Sequence, residues 1–207
     1  MAKSQGKVAR FRIQRRFGVE LPGLGKPGAL DRRPYPPGQN GNKRRKYSDY
    51  ALRLEEKQKV RLHYSLREKQ LRRFIRDSKK GTGTSWINKL VTRLECRLDN
   101  IVFRLGFAKT IPGARQLVNH GHITVNGKRV NIPSFQCKPN DIISVRDKSH
   151  SKALVKKAME ESTFSSVPSH IELDKDKLAG KINSVISREE VGIEINELFI
   201  VEFYSRK

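Results

Sequence analysis

The stretch RQLVNHGHITVNGKRV, residues 115–130, sets Arg115, His120, His122, Lys128 and Arg129 around one short unit that contains no acidic residue. Guanidinium and ammonium groups without carboxylate neighbours suit one task above others, the holding of phosphate oxygens through charge-assisted hydrogen bonds. A second set repeats that chemistry. Lys69, Arg72, Arg73 and Arg76 recur at helical spacing opposite Leu71, Phe74 and Ile75. A solvated helix face of this kind is normally laced with carboxylates four residues on; here those acids are mostly missing, which favours phosphate contact. Lys89, Arg93 and Arg97 form a third set, opposite an apolar stripe of Ile87, Leu90, Val91, Leu94 and Leu98.

Other chemistries are poorly served. The sequence has no Ser/His/Asp arrangement, no CxxC and no glycine-rich phosphate loop, because GTGTS lacks both the lysine and the spacing of a P-loop. His120 and His122 have no third ligand at a suitable interval, so neither a metal nor another cofactor is expected. Cys96 and Cys137 sit in apolar-periodic surroundings and read as small core residues in a reducing compartment.

Charge distribution points the same way. The net charge of the 207 residues is +23. Basic groups outnumber acidic ones by 13 to 2 in residues 1–46, 13 to 6 in 47–95 and 11 to 3 in 96–156, whereas 157–207 carry 7 against 10. A solubility device would be spread evenly; charge confined to three quarters of the chain asks for a polyanion, with nucleic acid before anionic membrane. Membrane recruitment pairs charge with an exposed apolar anchor, and neither an anchor, a spanning segment nor a secretory leader is present in the sequence. A soluble, unexported protein is expected.

The elements that must carry these residues can be placed from local chemistry. Residues 1–46, with LPGLGKPGALDRRPYPPGQNGNKRRK, hold too many Pro and Gly for a helix or a central strand and read as an extended basic arm. The arm is either a disordered tail, a transit peptide, or a segment ordered by its partner, with Phe11, Phe17 and Tyr35 to pack. Ser48 can cap a helix bearing Tyr47, Tyr50, Ala51 and Leu54, and Ser65 with Glu68 has capping-box spacing for the next. KKGTGTS, 79–85, reads as a linker. Asp99 is read as the cap of a short helix, with Leu98 and Phe103 as its staple and Gly106 as its end.

Thr110 caps a helix with Pro112 in its first turn, Ala114, Leu117 and Val118 inward, and Gly121 as its stop. Asn126-Gly127 then predicts a type I′ hairpin pairing Val125 with Lys128, Thr124 with Arg129 and Ile123 with Val130. Alternation puts Ile123, Val125, Val130 and Ile132 on one face. Asn196 is read as the cap of a terminal helix with Leu198, Val201 and Tyr204 in an apolar stripe, packed on the chain's own helices at 47–77.

ECRLDNIVFRLGFAKT and ARQLVNHGHITVNGKRVNIPSFQCKPNDIISVR closely resemble the RNA-binding module of the small-subunit ribosomal protein numbered four, in its bacterial and organellar form. RPYPPGQNG, KYSDYALRLEEKQKVRLHYSLREKQLRRF and EINELFIVEFYSRK extend the resemblance over nearly the whole chain. No cysteine precedes Cys96, so the chain resembles the metal-free branch, and Asn40 stands where PPGQ is usually followed by His.

The resemblance implies an α+β protein of three parts: a basic extended N-terminal arm (1–46), a helical rRNA-binding domain (47–95, completed by 186–207), and an RNA-binding module of short helices with a small antiparallel sheet (96–185). It implies a primary binder of small-subunit ribosomal RNA at a 5′-domain junction, an initiator of assembly and a contributor to accuracy. Implied partners are the ribosomal proteins numbered three and five, and messenger RNA near the path by which it enters the subunit. The site is the ribosome of the cytoplasm or of an organellar stroma or matrix. Candidate RNA contacts are Arg15, Arg16, Lys43, Arg44, Arg45 and Lys46 in the arm; Lys57, Lys69, Arg72, Arg73, Arg76 and Arg93 in the helical part; and Arg97, Arg104, Arg115, His120, Lys128 and Arg129 in the module. Two alternatives share such a module. An RNA-modifying enzyme would need a catalytic Asp on a separate α/β domain, for which the flanks are too short and basic. A free-standing stress factor would leave the arm and the terminal motif unexplained.

Overall fold

A computed structural model describes residues 9–25, 28–43, 46–80, 85–160, 168–184, 186 and 191–205. Arg44 and Arg45 and most of the 79–85 linker lie outside the described residues. In chain order come α1 (Arg10–Phe17), α2 (Asp49–His63), α3 (Glu68–Ser78), α4 (Trp86–Glu95), α5 (Leu98–Arg104) and α6 (Ile111–Asn119). β1 (Ile123–Val125), β2 (Lys128–Arg129), β3 (Ile142–Val145), α7 (Ser149–Glu160), β4 (Ile171–Asp174), β5 (Ala179–Ile182) and α8 (Glu197–Ser205) follow. The strands form one antiparallel sheet in the order β2-β1-β3-β5-β4, so the expected α+β class holds.

Local chemistry explains several helix ends. The Ser48 hydroxyl accepts from the Ala51 N–H at 3.3 Å and the Thr110 hydroxyl from the Gly113 N–H at 3.2 Å, each satisfying a donor that a helix start leaves open. Gly106 and Gly121 follow α5 and α6 with φ of 76° and 71°. Asn126 (φ 49°) and Gly127 (φ 76°) make the predicted hairpin turn, with Val125 opposite Lys128 and Thr124 opposite Arg129. The Asn196 side chain accepts from the Phe199 N–H at 3.4 Å at the start of α8.

Tertiary packing overrides pattern elsewhere. Ser65 caps nothing: with φ of 51° it belongs to the turn that ends α2, and α3 starts three residues later, where the Gln70 side chain accepts from the Arg67 N–H. The predicted stripe through Leu98 breaks because α4 stops at Glu95 and a new helix begins at Leu98. Asp99 lies in the first turn of α5, fully buried, and caps nothing. Ile132 is 56% exposed, since β2 ends at Arg129 and the chain peels away to give the carbonyls of Pro133 and Phe135 to Asp99 and Leu98. On α8 the buried residue is Ile200, whereas Leu198 is exposed; the helix packs along α2, as expected. Tyr47 and Tyr50 are exposed as well, and α2 buries Lys57, Val60 and His63 instead.

The arm is not extended throughout. It contains α1, ended by Gly18 at φ 64°, and the buried Gln14 side chain accepts the Leu21 N–H at 3.0 Å. Leu21 and Leu24 join Val91, Ile186, Val191 and Ile193 in a second core. The Gly23 carbonyl accepts from the Ile111 N–H at 2.9 Å, tying arm to α6. A Cβ at Gly23 would lie 2.5 Å from Ile111 Cδ1 and 2.8 Å from the His63 carbonyl oxygen, so this close approach requires glycine.

Candidate nucleic-acid interface

The candidate cations divide into those turned inward and those turned outward. Asp99, wholly buried where α5 begins, accepts from Arg97 Nε at 2.9 Å and from Arg115 Nε and a terminal nitrogen at 3.2 and 2.9 Å. Arg115 also donates to the Ser65 carbonyl at 2.8 Å, which links α6 to the turn after α2. Beside this, Glu95 collects Arg104 at 3.0 Å, the Tyr64 hydroxyl and the Asn100 amide. Burial acts to raise the Glu95 pKa, and the Arg104 guanidinium overrides it, holding the carboxyl below its usual range. Lys57, itself buried, meets Glu68 at 2.8 Å.

These contacts engage Lys57, Arg97, Arg104 and Arg115, four of the expected RNA contacts, with the protein's own acids. The break at Cys96 turns Arg97 inward from where a continuous helix would have shown it to solvent. Removing one partner of such a buried pair strands a charge, at a cost of about 3–5 kcal/mol.

The outward set is led by α3. Lys69, Arg72, Arg73 and Arg76 are all exposed. Acids are less scarce here than the sequence suggested: Arg72 approaches Glu68 at 3.4 Å, and Arg73 and Arg76 approach Asp77 at 3.8 and 3.9 Å. Exposed pairs this loose contribute roughly 0–1 kcal/mol each and yield readily to a phosphate. Arg72 and Arg76 continue, with Lys79, Tyr50 and Phe203, along an open groove between α2, α3 and α8. Arg93 is half-buried over the Phe74 ring.

In the arm, Arg16, Lys43 and Lys46 are exposed. Arg15 is pinned: its Nε donates to the carbonyls of Arg33 and Tyr35, both at 3.1 Å, and its guanidinium lies 5.2 Å from the Tyr35 ring centre. The exposed Lys128 and Arg129 form β2, and the Arg129 guanidinium lies across Gly121, where a Cβ would come within 2.1 Å of its Nε.

His120 and His122 stand on the same rim, joined by a residue that sequence reading did not single out. His150, in the first turn of α7, lies 6.0 Å from His122 between ring centres. Its separation along the chain gave no spacing signal. Among the described residues, no group of three or more His, Cys, Asp or Glu is arranged to hold a metal ion. Cys137 is buried, which pushes its thiol well up from the ordinary value, and Cys96 is shifted the same way by burial and Glu95.

A family model described as the S4 domain matches residues 96–143, and another, described as the ribosomal protein S4/S9 N-terminal domain, matches residues 6–95. A Synechocystis protein named small ribosomal subunit protein uS4 is 58% identical, with 99% of each chain covered. Proteins of the same name from Picosynechococcus and Cyanothece are 56% and 51% identical over essentially their full lengths. The chain belongs to the uS4 family. In this uS4 chain the two family matches meet between residues 95 and 96, and the buried pair of Glu95 and Arg104 crosses that point. No helix among its described residues is long and apolar enough to cross a membrane.

Proposed function

We propose that this uS4 chain is a structural, non-enzymatic component of the small ribosomal subunit that binds small-subunit ribosomal RNA through its outward cations. One observation carries the reading: Lys69, Arg72, Arg73, Arg76, Lys128 and Arg129 stand exposed on short, well-anchored elements, while buried Asp99 and Glu95 are spent on Arg97, Arg115 and Arg104 and the α3 arginines meet Glu68 and Asp77 only loosely. Cations fixed on preformed elements suit the reading of RNA shape and phosphate positions more than base sequence.

On this reading residues 1–46 act as an arm, 47–95 with 186–207 as a helical rRNA-binding domain, and 96–185 as a second RNA-binding module. The chain docks early on a multi-helix junction of the 5′ domain and so initiates assembly. The aromatic groove of α2, α3 and α8, bearing Tyr50 and Phe203, faces neighbouring ribosomal proteins, those numbered three and five, beside messenger RNA. Its influence on accuracy follows from that place. Its location is the ribosome, in the cytoplasm or in an organelle. A free-standing, stress-related factor with the same module is the other reading, and the docked arm and α8 speak for the stoichiometric component.

Sedimentation in high salt separates them, since a component stays with the subunit and a transient factor leaves. Binding to a 5′-domain transcript tests the contact itself. If about ten phosphates are neutralised, affinity falls with salt on a log–log slope of roughly −7 to −9. A slope near zero would overturn the reading.

A further inference from the structure

Three imidazoles lie beside the hairpin, with His122 neighbouring both of the others. His120 closes α6, His122 leads into β1 and His150 lies in α7, with ring centres 6.1 Å apart for His120 and His122 and 6.0 Å for His122 and His150. His120 and His150 are exposed, and His122 is half-buried. Arg129 of β2 lays its guanidinium over Gly121, the residue between the first two histidines. Arg146, just beyond β3, donates its backbone N–H to the His122 carbonyl at 2.8 Å. Ser151 of α7 shares a hydrogen bond with His122 Nδ1 at 2.9 Å, which leaves Nε2 to meet a ligand. The groups facing His122 are thus His120 from α6, Arg129 from β2, Arg146 from the end of β3, and His150 and Ser151 from α7. The adjoining carboxylate, Asp147, is engaged by Lys152 at 2.6 Å.

Such an array carries no counter-charge of its own. We propose that His120, His122, His150, Arg129 and Arg146 form one binding site for a backbone phosphate of RNA, and that protonation of its imidazoles sets the affinity. This rests on the reading of the chain as a binder of ribosomal RNA and adds residues and a regulation to it. Rings whose centres are 6 Å apart can each bring a nitrogen to about 2.7–2.9 Å from oxygens of a single phosphate. Lys128 at the hairpin tip continues the positive rim, which suits a chain of phosphates more than an isolated anion.

The sign follows from linkage. Burial and the neighbouring cations hold the free His122 below its ordinary pKa, so the ring is mostly neutral at pH 7. A bound phosphate raises the pKa of each ring it touches. Binding therefore takes up protons, and it strengthens as pH falls through the raised value of the complex. A rise of about one unit per ring gives up to tenfold in affinity each between pH 8 and pH 5.5, so up to about tenfold for a phosphate that meets one ring, a hundredfold for two and a thousandfold for all three. Each imidazolium that meets a phosphate also steepens the salt slope by roughly 0.7–0.9.

The test measures binding of the full chain to a 5′-domain rRNA transcript at pH 5.5, 6.5, 7.5 and 8, at fixed and at varied salt, for the wild type and for His120→Gln/His122→Gln/His150→Gln. Expected are a tightening of at least tenfold at low pH with a steeper salt slope in the wild type, and a ratio within about twofold of unity in the variant. Proton NMR titration of the imidazoles with and without RNA reads the same shift in the unsubstituted protein, so a poorly folded variant does not shield the proposal. RNA binding that is flat with pH, or imidazole titrations unmoved by RNA, overturns the phosphate site and leaves the ribosomal reading standing. No RNA binding at any pH overturns both.

Discussion

His63 is sealed at the end of α2 with neither ring nitrogen hydrogen-bonded among the described residues, its ring edge-on to Tyr64. Burial lowers its pKa from 6.5 to about 4, against the pull of nearby Glu95 and with help from Arg104. An imidazole kept neutral in the fold binds its proton first in the unfolded chain. Its contribution is therefore complete above pH 6.5 and is lost as pH falls from there towards 4, for a total of about 3 kcal/mol. Chemical denaturation at several pH values from 7.5 to 4.5 should show this loss, and His63→Leu should remove most of it. The small residue belongs to His122, which is shifted the same way. Glu95, held low by Arg104, adds its own loss only below the ordinary carboxylate range. A pH profile unaltered by His63→Leu would mean that another group governs acid sensitivity.

At the scale of elements, what could be read from the sequence was what neighbours in the chain decide. Ser48, Thr110, Asn126-Gly127 and Gly121 each satisfy or turn the backbone within a few residues, so residue type sufficed. α1 was hidden because the apolar residues it packs inward are only Ile13 and Phe17, and the rest of its hold comes from one buried glutamine and the docking of Leu21 and Leu24. Ser65 matched a cap in pattern, yet the closure of α2 onto Arg115 claimed it for a turn. Part of the candidate site was legible for the same reason: the α3 stripe shows itself by helical phase. Arg97 and His150 were not, since one depends on a helix break and the other on a fold that brings α7 to the hairpin. The seam between arm and body is the element-scale test. Gly23→Ala drives a methyl into Ile111 and the His63 carbonyl, and should cost about 1–3 kcal/mol. Limited proteolysis should then cut within residues 9–25 far sooner than in the wild type, and equal cutting rates would show that the arm is held elsewhere.

Across the whole molecule the same residue types do two jobs, and burial sorts them. A net charge of +23 resists compaction, and the fold answers by placing Asp99 and Glu95 between guanidiniums in the centre while other cations stay at the surface. The two populations predict opposite phenotypes. Substituting Arg72, Arg73 and Arg76 together by Ala removes only loose exposed pairs, so thermal stability should change little, while the log–log salt slope of rRNA binding should flatten by roughly 2–3. Arg115→Ala deprives buried Asp99 of one partner and frees the Ser65 carbonyl, so it should lower stability by a few kcal/mol, on the order set by broken buried pairs, with the salt slope nearly intact in the folded fraction. Measuring both quantities on both variants decides the matter: a stability loss for the α3 variant, or a flattened slope for Arg115→Ala, would reverse the assignment of scaffold and contact.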